Sequence, residues 1–194
     1  MSTGEKIPIA KALNVAHRFL KLIEPYVLKA EIAGSIRRKV NMVGDIEIVA
    51  VADPLKSFDS LFYKGYPGLV VNGQRLKRVK YPEHNIQIEL YIAQDFDYGR
   101  ILAIRTGSSA YSHIQLATTW NRNGWAGCEH GLRRKKECEK KGNVWKLKPE
   151  FENNCTKPPP FHTEADFFEF LKLEWIPPER RNWQSKYEHL NYAP

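Results

Sequence analysis

The segment from residue 33 to residue 51 carries the side chains whose types and spacing point to a specific chemistry. It reads AGSIRRKVNMVGDIEIVAV, and Asp45 lies eleven residues after Gly34. Side chains two apart on a strand share a face, so Asp45 and Glu47 can hold one pair of divalent metal ions. A Gly34-Ser35 turn that can bind phosphates, next to paired carboxylates, is the minimum apparatus for phosphoryl or nucleotidyl transfer.

A third carboxylate, Glu89, lies in a segment with the pattern of a β-strand. In NIQIELYIA, residues 85–93, the isoleucines and the leucine alternate with Gln87, Glu89 and Tyr91. An acid within such a run is costly to bury unless it is paired or binds a metal. If this strand lies beside the Asp45 strand, Glu89 completes a three-carboxylate site of the kind that binds Mg²⁺. The alternative is that both strands carry solvated acids on exposed faces.

The charge and composition of the chain indicate what kind of partner it binds and in which compartment. The 194-residue chain has a formal net charge of +8 and a pI of about 9.3, which favours nucleic acid or a membrane surface. No apolar run is long enough for a membrane span, and the start of the chain does not resemble a secretory signal. Three cysteines suit a reducing compartment, so we expect a cytoplasmic or nucleoid-associated protein. The spacing of Cys128, His130 and Cys138 fits no common zinc motif.

The first half of the chain has the pattern of an α+β domain, which we predict to span residues 1–95. Apolar residues at three- and four-residue steps predict a helix over about 7–30, kinked or ended at Pro25. Strands are expected at 30–33, 45–51 and 86–93. Residues 69–80 predict a hairpin with its turn at Asn72-Gly73.

The second half, residues 96–194, predicts a smaller α/β domain. Helices are expected at 98–105 and 111–121, followed by a basic stretch over 133–148. A triple-proline linker precedes a short helix, in which Thr163 and Asp166 are placed as a capping box.

Three motifs in this order resemble the family X DNA polymerases, of the DNA polymerase beta type, within the nucleotidyltransferase superfamily. They are GSIRRKVNMVGDIEIV, the spacing from Glu89 to Thr106-Gly107-Ser108, and the tail HTEADFFEFLKLEWIPPERRNW. The resemblance covers about residues 30–183. It implies a nucleotidyltransferase palm, a mixed β-sheet with helices, followed by a small α/β thumb-like domain.

The resemblance also implies an activity: adding dNMP from dNTPs to a primer 3′-hydroxyl in short DNA gaps. Asp45 and Glu47 would bridge two Mg²⁺ ions, for which Mn²⁺ can substitute, and Glu89 would bind the catalytic metal and accept the hydroxyl proton. Its partners would be gapped or primer–template DNA, with the chain acting as a monomer and without a membrane. Residues implied in nucleotide binding are Gly34, Ser35, Arg38, Gly44, Thr106, Gly107, Ser109 and Ser112.

Basic residues outside these motifs are candidate contacts to the DNA backbone. They are Arg75, Lys77, Arg78, Lys80, Arg133, Arg134, Lys135 and Lys136. The alternative is an ordinary solvated charged face.

Departures from the family pattern leave other functions open. Two of the three acids are Glu rather than Asp, and Ile104-Arg105 replaces the aromatic pair that contacts the incoming sugar. About thirty residues precede the Gly-Ser turn, so we expect no lyase domain and no deoxyribose-phosphate lyase activity. A compact chain of this kind is consistent with a virus or phage. One alternative is a nucleotidyltransferase for another acceptor: an untemplated DNA or RNA end, a small molecule or a protein. The other is a non-catalytic nucleic-acid-binding module.

Overall fold

A five-stranded mixed β-sheet organises the first half of the chain in the computed structural model, which describes residues 5–63 and 65–184. The strand order is β2-β4-β7-β6-β5, with β4 and β7 parallel and the other neighbours antiparallel. The strands are β1 (Ile7–Pro8), β2 (Val27–Ile32), β3 (Met42–Val43), β4 (Asp45–Ala52), β5 (Leu69–Asn72), β6 (Leu76–Tyr81) and β7 (Ile86–Ala93).

Helix α1 (Ile9–Ile23) covers one face of this sheet. Its buried residues recur at three- and four-residue steps, as an amphipathic helix requires, and they pack against the apolar side chains of β4 and β7. The helix ends seven residues before the predicted limit. Pro25 lies in a 3₁₀ turn, Glu24–Tyr26, and β2 starts directly after it, three residues earlier than expected.

The central pair of strands is buried on both faces. Alternate residues of β7 enter the core below α1, as the alternation predicted. On the opposite face, Val49 and Val51 of β4 pack against Tyr98 and Leu102 of helix α3 (Tyr98–Thr106). This second face is also the one that carries the acidic side chains, so α3 lies over the strands that present them.

The predicted position of the hairpin turn is wrong by two residues. Gly73 donates its backbone N–H to the Leu76 carbonyl at 2.9 Å, and Asn72 pairs with Lys77, so the tight turn is Gln74-Arg75. The Asn72 side chain is used elsewhere, because its amide donates to the Phe62 carbonyl at 3.0 Å and its oxygen accepts from Lys77.

The second half combines short helices with two hairpins. The predicted helix over 111–121 is interrupted: α4 (Ser109–Tyr111) leads into π-helical residues Ser112–Ala117 and then into α5 (Thr118–Arg122). Two hairpins contain the basic stretch, β8 (Trp125–Cys128) with β9 (Gly131–Arg134) and β10 (Cys138–Lys141) with β11 (Val144–Leu147). Helix α6 (Glu164–Leu171) has the predicted capping box, since Thr163 and Asp166 each accept the other's backbone N–H.

The predicted α+β fold class is confirmed, with the mixed sheet followed by the smaller helix-and-hairpin region. Core residues of that region, from Ala103 to Trp183, form a cluster of their own. The division of the chain at residue 95 stays a prediction. In the part of the chain that the structure describes, no helix is long and apolar enough to cross a membrane.

A buried carboxylate joins the two halves. Glu164, at the start of α6, pairs with Arg181 at 2.6 Å and with Arg37 at 2.9 Å. Arg181 is fully buried and also donates to the Ile176 carbonyl, so its charge has no access to water. Arg37 belongs to the short helix α2 (Gly34–Arg37), which contains the Gly-Ser turn.

We predict that Glu164→Ala lowers the free energy of unfolding by about 3–5 kcal/mol, because it leaves the Arg181 guanidinium buried without an anion. Glu169→Ala, at an exposed position of the same helix, should change it by no more than about 0.5 kcal/mol. Urea unfolding followed by tryptophan fluorescence measures both. Equal effects of the two substitutions would contradict a stabilising role for the ion pair between Glu164 and Arg181.

Candidate active site

The three predicted acids lie on neighbouring strands. Asp45 and Glu47 alternate with buried residues at the start of β4. In the parallel register Glu47 is opposite Glu89, and Asp45 is opposite Gln87. The strand adjacency that the three-carboxylate hypothesis required is therefore present.

Burial and nearby negative charge disfavour ionisation of Asp45 and Glu47. Burial, followed by the charge of Asp45, raises the pKa of Glu47 to about 7. Burial, followed by the charge of Glu89, also raises the pKa of Asp45. Arg38 and other cations offset only part of this effect. Such a concentration of negative charge favours binding of a cation.

Glu89 is held by three side chains. Arg78 of β6 donates its Nε to Oε1 at 2.9 Å, Gln87 donates to the same oxygen at 2.9 Å, and the Tyr91 hydroxyl donates to Oε2. The Arg105 guanidinium lies 3.8 Å from the centre of the Tyr91 ring. Sequence reasoning missed Tyr91 and Arg105 as parts of the site, although Tyr91 is two residues from Glu89 on the same strand face.

The carboxylates suit Mg²⁺ in chemistry, since their oxygens are its preferred protein ligands. Within residues 5–63 and 65–184, however, no group of three or more His, Cys, Asp or Glu side chains is arranged to hold a metal ion. Glu89 already accepts hydrogen bonds from Arg78 and Tyr91. Asp45 and Glu47 are therefore the two carboxylates more available to a metal ion. These two residues would hold a metal, and Glu89 would join them after exchanging a partner.

Gly34 lets the Gly-Ser turn, predicted to bind phosphate, approach the acids. Its φ is +60°, and a Cβ atom there would lie 2.2 Å from Glu47 Oε2. The left-handed backbone favours glycine, and a Cβ atom would require the Glu47 side chain to move. The close approach explains why a Gly-Ser turn and a D-x-E strand occur together in this sequence.

One polar group of the turn has no hydrogen-bond partner. The Ser35 hydroxyl is buried and has no hydrogen-bond partner. Arg38 donates to the Thr106 carbonyl at 2.7 Å and to Asn182 at 3.2 Å, which fixes its guanidinium near the acids. A hydroxyl donor beside a fixed guanidinium suits the oxygens of a polyphosphate. Gly44, also predicted in this group, directly precedes β4.

A cleft of about 470 Å³ opens beside Arg38 and Glu47. The predicted nucleotide-binding residues Gly107, Ser109 and Ser112 line it. Ser108, Ile104, Arg105, His113, Ala117 and Trp120 complete the wall.

Thr106, also predicted to bind nucleotide, is fully buried, and its hydroxyl accepts from Arg37 at 2.7 Å. It is absent from the lining of the cleft. A Cβ on Gly107 would lie 2.5 Å from the Tyr111 ring, so close packing accounts for glycine at this position.

The basic residues predicted to contact DNA lie in different environments. Lys77 and Arg133 are buried, Arg78 is bonded to Glu89, and Arg134 stacks on Trp125. The remaining four residues are exposed: Arg75, Lys80, Lys135 and Lys136.

That Cys128, His130 and Cys138 form no zinc site stays a prediction. All three cysteines are free thiols, and the sulfur atoms of Cys128 and Cys138 are 3.2 Å apart.

Residues 101–182 match the family model for the DNA polymerase beta thumb. This supports family X polymerase-like membership. The matched region begins within α3 and includes the glycine and serines of the cleft, both hairpins and the buried Glu164–Arg181 pair. A comparison with curated proteins found no match. The thumb match indicates a DNA polymerase-related protein.

We predict that Gly34→Ala destabilises the protein by roughly 2–5 kcal/mol, through backbone strain and the collision with Glu47. Gly142→Ala is a matched control, since its φ is +61° but no atom lies within 4 Å of the new Cβ. Strain alone should cost the control about 1–2 kcal/mol. Chemical denaturation compares the two, and equal losses would show that the approach to Glu47 has no energetic effect.

We predict that Glu47→Gln stabilises the protein in EDTA at pH 8, by about 1–3 kcal/mol. With the pKa of Glu47 raised from 4.5 to about 7, the folded state holds this proton more tightly than the unfolded state. The stability of the wild type therefore falls as the pH rises between these values, and the glutamine variant avoids that loss.

The advantage of Glu47→Gln should disappear below about pH 4.5, where the wild-type carboxyl is protonated in both states. Urea unfolding at pH 4 and pH 8 measures the difference. Glu150→Gln, at an exposed site, is the control. If Glu47→Gln is less stable than the wild type at pH 8, the raised pKa of Glu47 in the folded state is refuted.

Proposed function

We propose that this protein is a DNA polymerase of family X type, whose palm and thumb add dNMP to a primer 3′-hydroxyl in short gaps. One observation carries the proposal: Glu47 and Glu89 are opposite each other in parallel strands, with the Gly34-Ser35 turn against Glu47. The thumb match over residues 101–182 supports DNA as the partner.

The phosphate-binding turn would hold the triphosphate. The Ser35 hydroxyl would donate to a phosphate oxygen, and Arg38 would pair with the β- and γ-phosphates. The sugar and base would then extend into the cleft along Gly107, Ser109 and Ser112. Arg105 and Ile104 would lie against the sugar.

In the reaction the primer 3′-oxygen attacks the α-phosphorus, the bond to the β-phosphate oxygen breaks, and pyrophosphate leaves. Glu89 would accept the proton of the 3′-hydroxyl. Asp45 and Glu47, with Glu89, would hold two Mg²⁺ ions, which neutralise the phosphate charge when bound. The remaining contribution of the chain is to align the reacting groups.

The exposed basic residues would bind the DNA backbone. Lys80 comes from β6, and Lys135 and Lys136 come from the segment after β9. Arg75, in the turn before β6, would have to release Glu129 to bind a phosphate. Contacts of this kind supply affinity without sequence preference and weaken with salt.

We predict that the protein extends a labelled primer across a one-nucleotide gap with Mg²⁺ or Mn²⁺, and that Asp45→Ala/Glu47→Ala abolishes extension. The two alanines remove the acids proposed to hold the metal ions. Glu150→Ala/Glu152→Ala is the matched control, with the same i, i+2 spacing at exposed positions, and should keep full activity. The assay uses gapped, recessed and single-stranded DNA with each dNTP and NTP.

The products of the extension assay distinguish the polymerase from the alternative functions. Templated addition that the acid variant loses supports the polymerase, and a preference for gaps supports gap filling. Untemplated addition would identify a terminal transferase instead. No addition by folded protein would refute a DNA polymerase and direct the search to other nucleotide acceptors, or to a non-catalytic binding module.

A further inference from the structure

A second cleft, of about 480 Å³, lies at the other end of α3 from the candidate active site. Its walls come from the Gln74-Arg75 turn, the end of β7, the start of α3 and the β8–β9 hairpin. The two clefts share no lining residue.

Arg133 brings an unpaired positive charge to this cleft. Its side chain lines the cleft although the residue is only 7% exposed. Nη1 donates to the adjacent Leu132 carbonyl at 2.7 Å, while the buried Nε has no hydrogen-bond partner. Among the described residues, no carboxylate forms an ion pair with this guanidinium. A buried guanidinium without an anion is unfavourable, so the site favours an anionic ligand.

The other arginines of the cleft are already paired. Arg100 donates to both oxygens of Asp97, with its Nε at 2.7 Å from Oδ1, and Arg75 pairs with Glu129. Of the three arginines that line the cleft, Arg133 is therefore the one whose charge is available to a ligand. One guanidinium without an ion-pair partner matches the charge of a single phosphate group.

An aromatic ring at the same cleft provides a surface for a base. Phe96 is 50% exposed, and its neighbours in the lining include Ile92, Ala93 and Ile101. The amides of Gln74 and Gln94 add donors and acceptors at the edge. Exposed aromatic rings beside cationic groups are the recurring stacking sites of single-stranded nucleic acids.

We propose that this cleft binds one nucleotide unit of single-stranded DNA, with its phosphate on Arg133 and its base on Phe96. The site is separate from Asp45, Glu47 and Glu89 and would not require a metal. It would hold an unpaired part of a DNA strand while the reacting end occupies the first cleft.

Fluorescence anisotropy of labelled oligothymidylate, with the full chain in EDTA and a series of salt concentrations, tests the two contacts separately. Phe96→Ala should weaken binding about 5- to 100-fold without changing the salt dependence, because stacking releases no counterions. Arg133→Gln should lower the slope of log K against log salt by about 0.7, the value for one phosphate contact on a single strand.

Matched controls use residues outside the cleft. Tyr63→Ala removes a ring of similar exposure, 54%, and Arg122→Gln removes an exposed guanidinium. Both should bind oligothymidylate nearly as the wild type does. Wild-type binding by Phe96→Ala and Arg133→Gln would overturn the proposal, as would equal losses in the controls.

Competition with dTMP separates a strand from a free nucleotide. If dTMP displaces the oligomer and Phe96→Ala reduces this displacement, a single nucleotide unit suffices for binding. If Phe96→Ala leaves the displacement unchanged, the result counts against the site. Circular dichroism verifies folding of each variant. If Arg133→Gln does not fold, Phe96→Ala decides the outcome, because its exposed ring is not part of the core. Since EDTA blocks metal-dependent extension, this result is independent of the polymerase assay.

Discussion

The ion pairs of Glu164 set the geometry on which the rest of the structure depends. This carboxylate, itself buried, bonds to a fully buried Arg181 and to Arg37, which precedes the guanidinium proposed to bind phosphate. A buried charge network of this kind tolerates little displacement, because each lost partner leaves an uncompensated charge. The position of the Gly-Ser turn is thereby tied to a helix more than a hundred residues later in the chain.

Around that fixed turn, the candidate active site collects features that oppose stability. The acids repel each other, and the buried Ser35 hydroxyl has no hydrogen-bond partner. Neither of these features improves packing, and each is expected where a ligand of opposite charge or matching donors is to be bound.

Helix α3 separates two clefts of similar volume and different character. At its C-terminal end the lining includes Glu47 and Arg38, near the acid cluster, whereas at its N-terminal end most charges are paired and Arg133 is not. A strand of nucleic acid carries phosphates at regular intervals and bases between them. One helix thus presents two chemically different surfaces that a single bound strand could occupy together.

The sequence by itself determined the local features: the alternation of β7, the capping box of α6, the end of α1 near Pro25 and the pairing of a Gly-Ser turn with D-x-E. These depend on side-chain periodicity and on backbone preferences within a few residues. The tertiary structure alone decided which charges are buried and with what they pair. Lys77 and Arg133, expected at the surface, are buried, and Glu89 is bonded to Arg78. Arg78 and Glu89 meet across neighbouring strands, and the burial of Lys77 and Arg133 depends on packing between elements, so no local pattern encodes these environments.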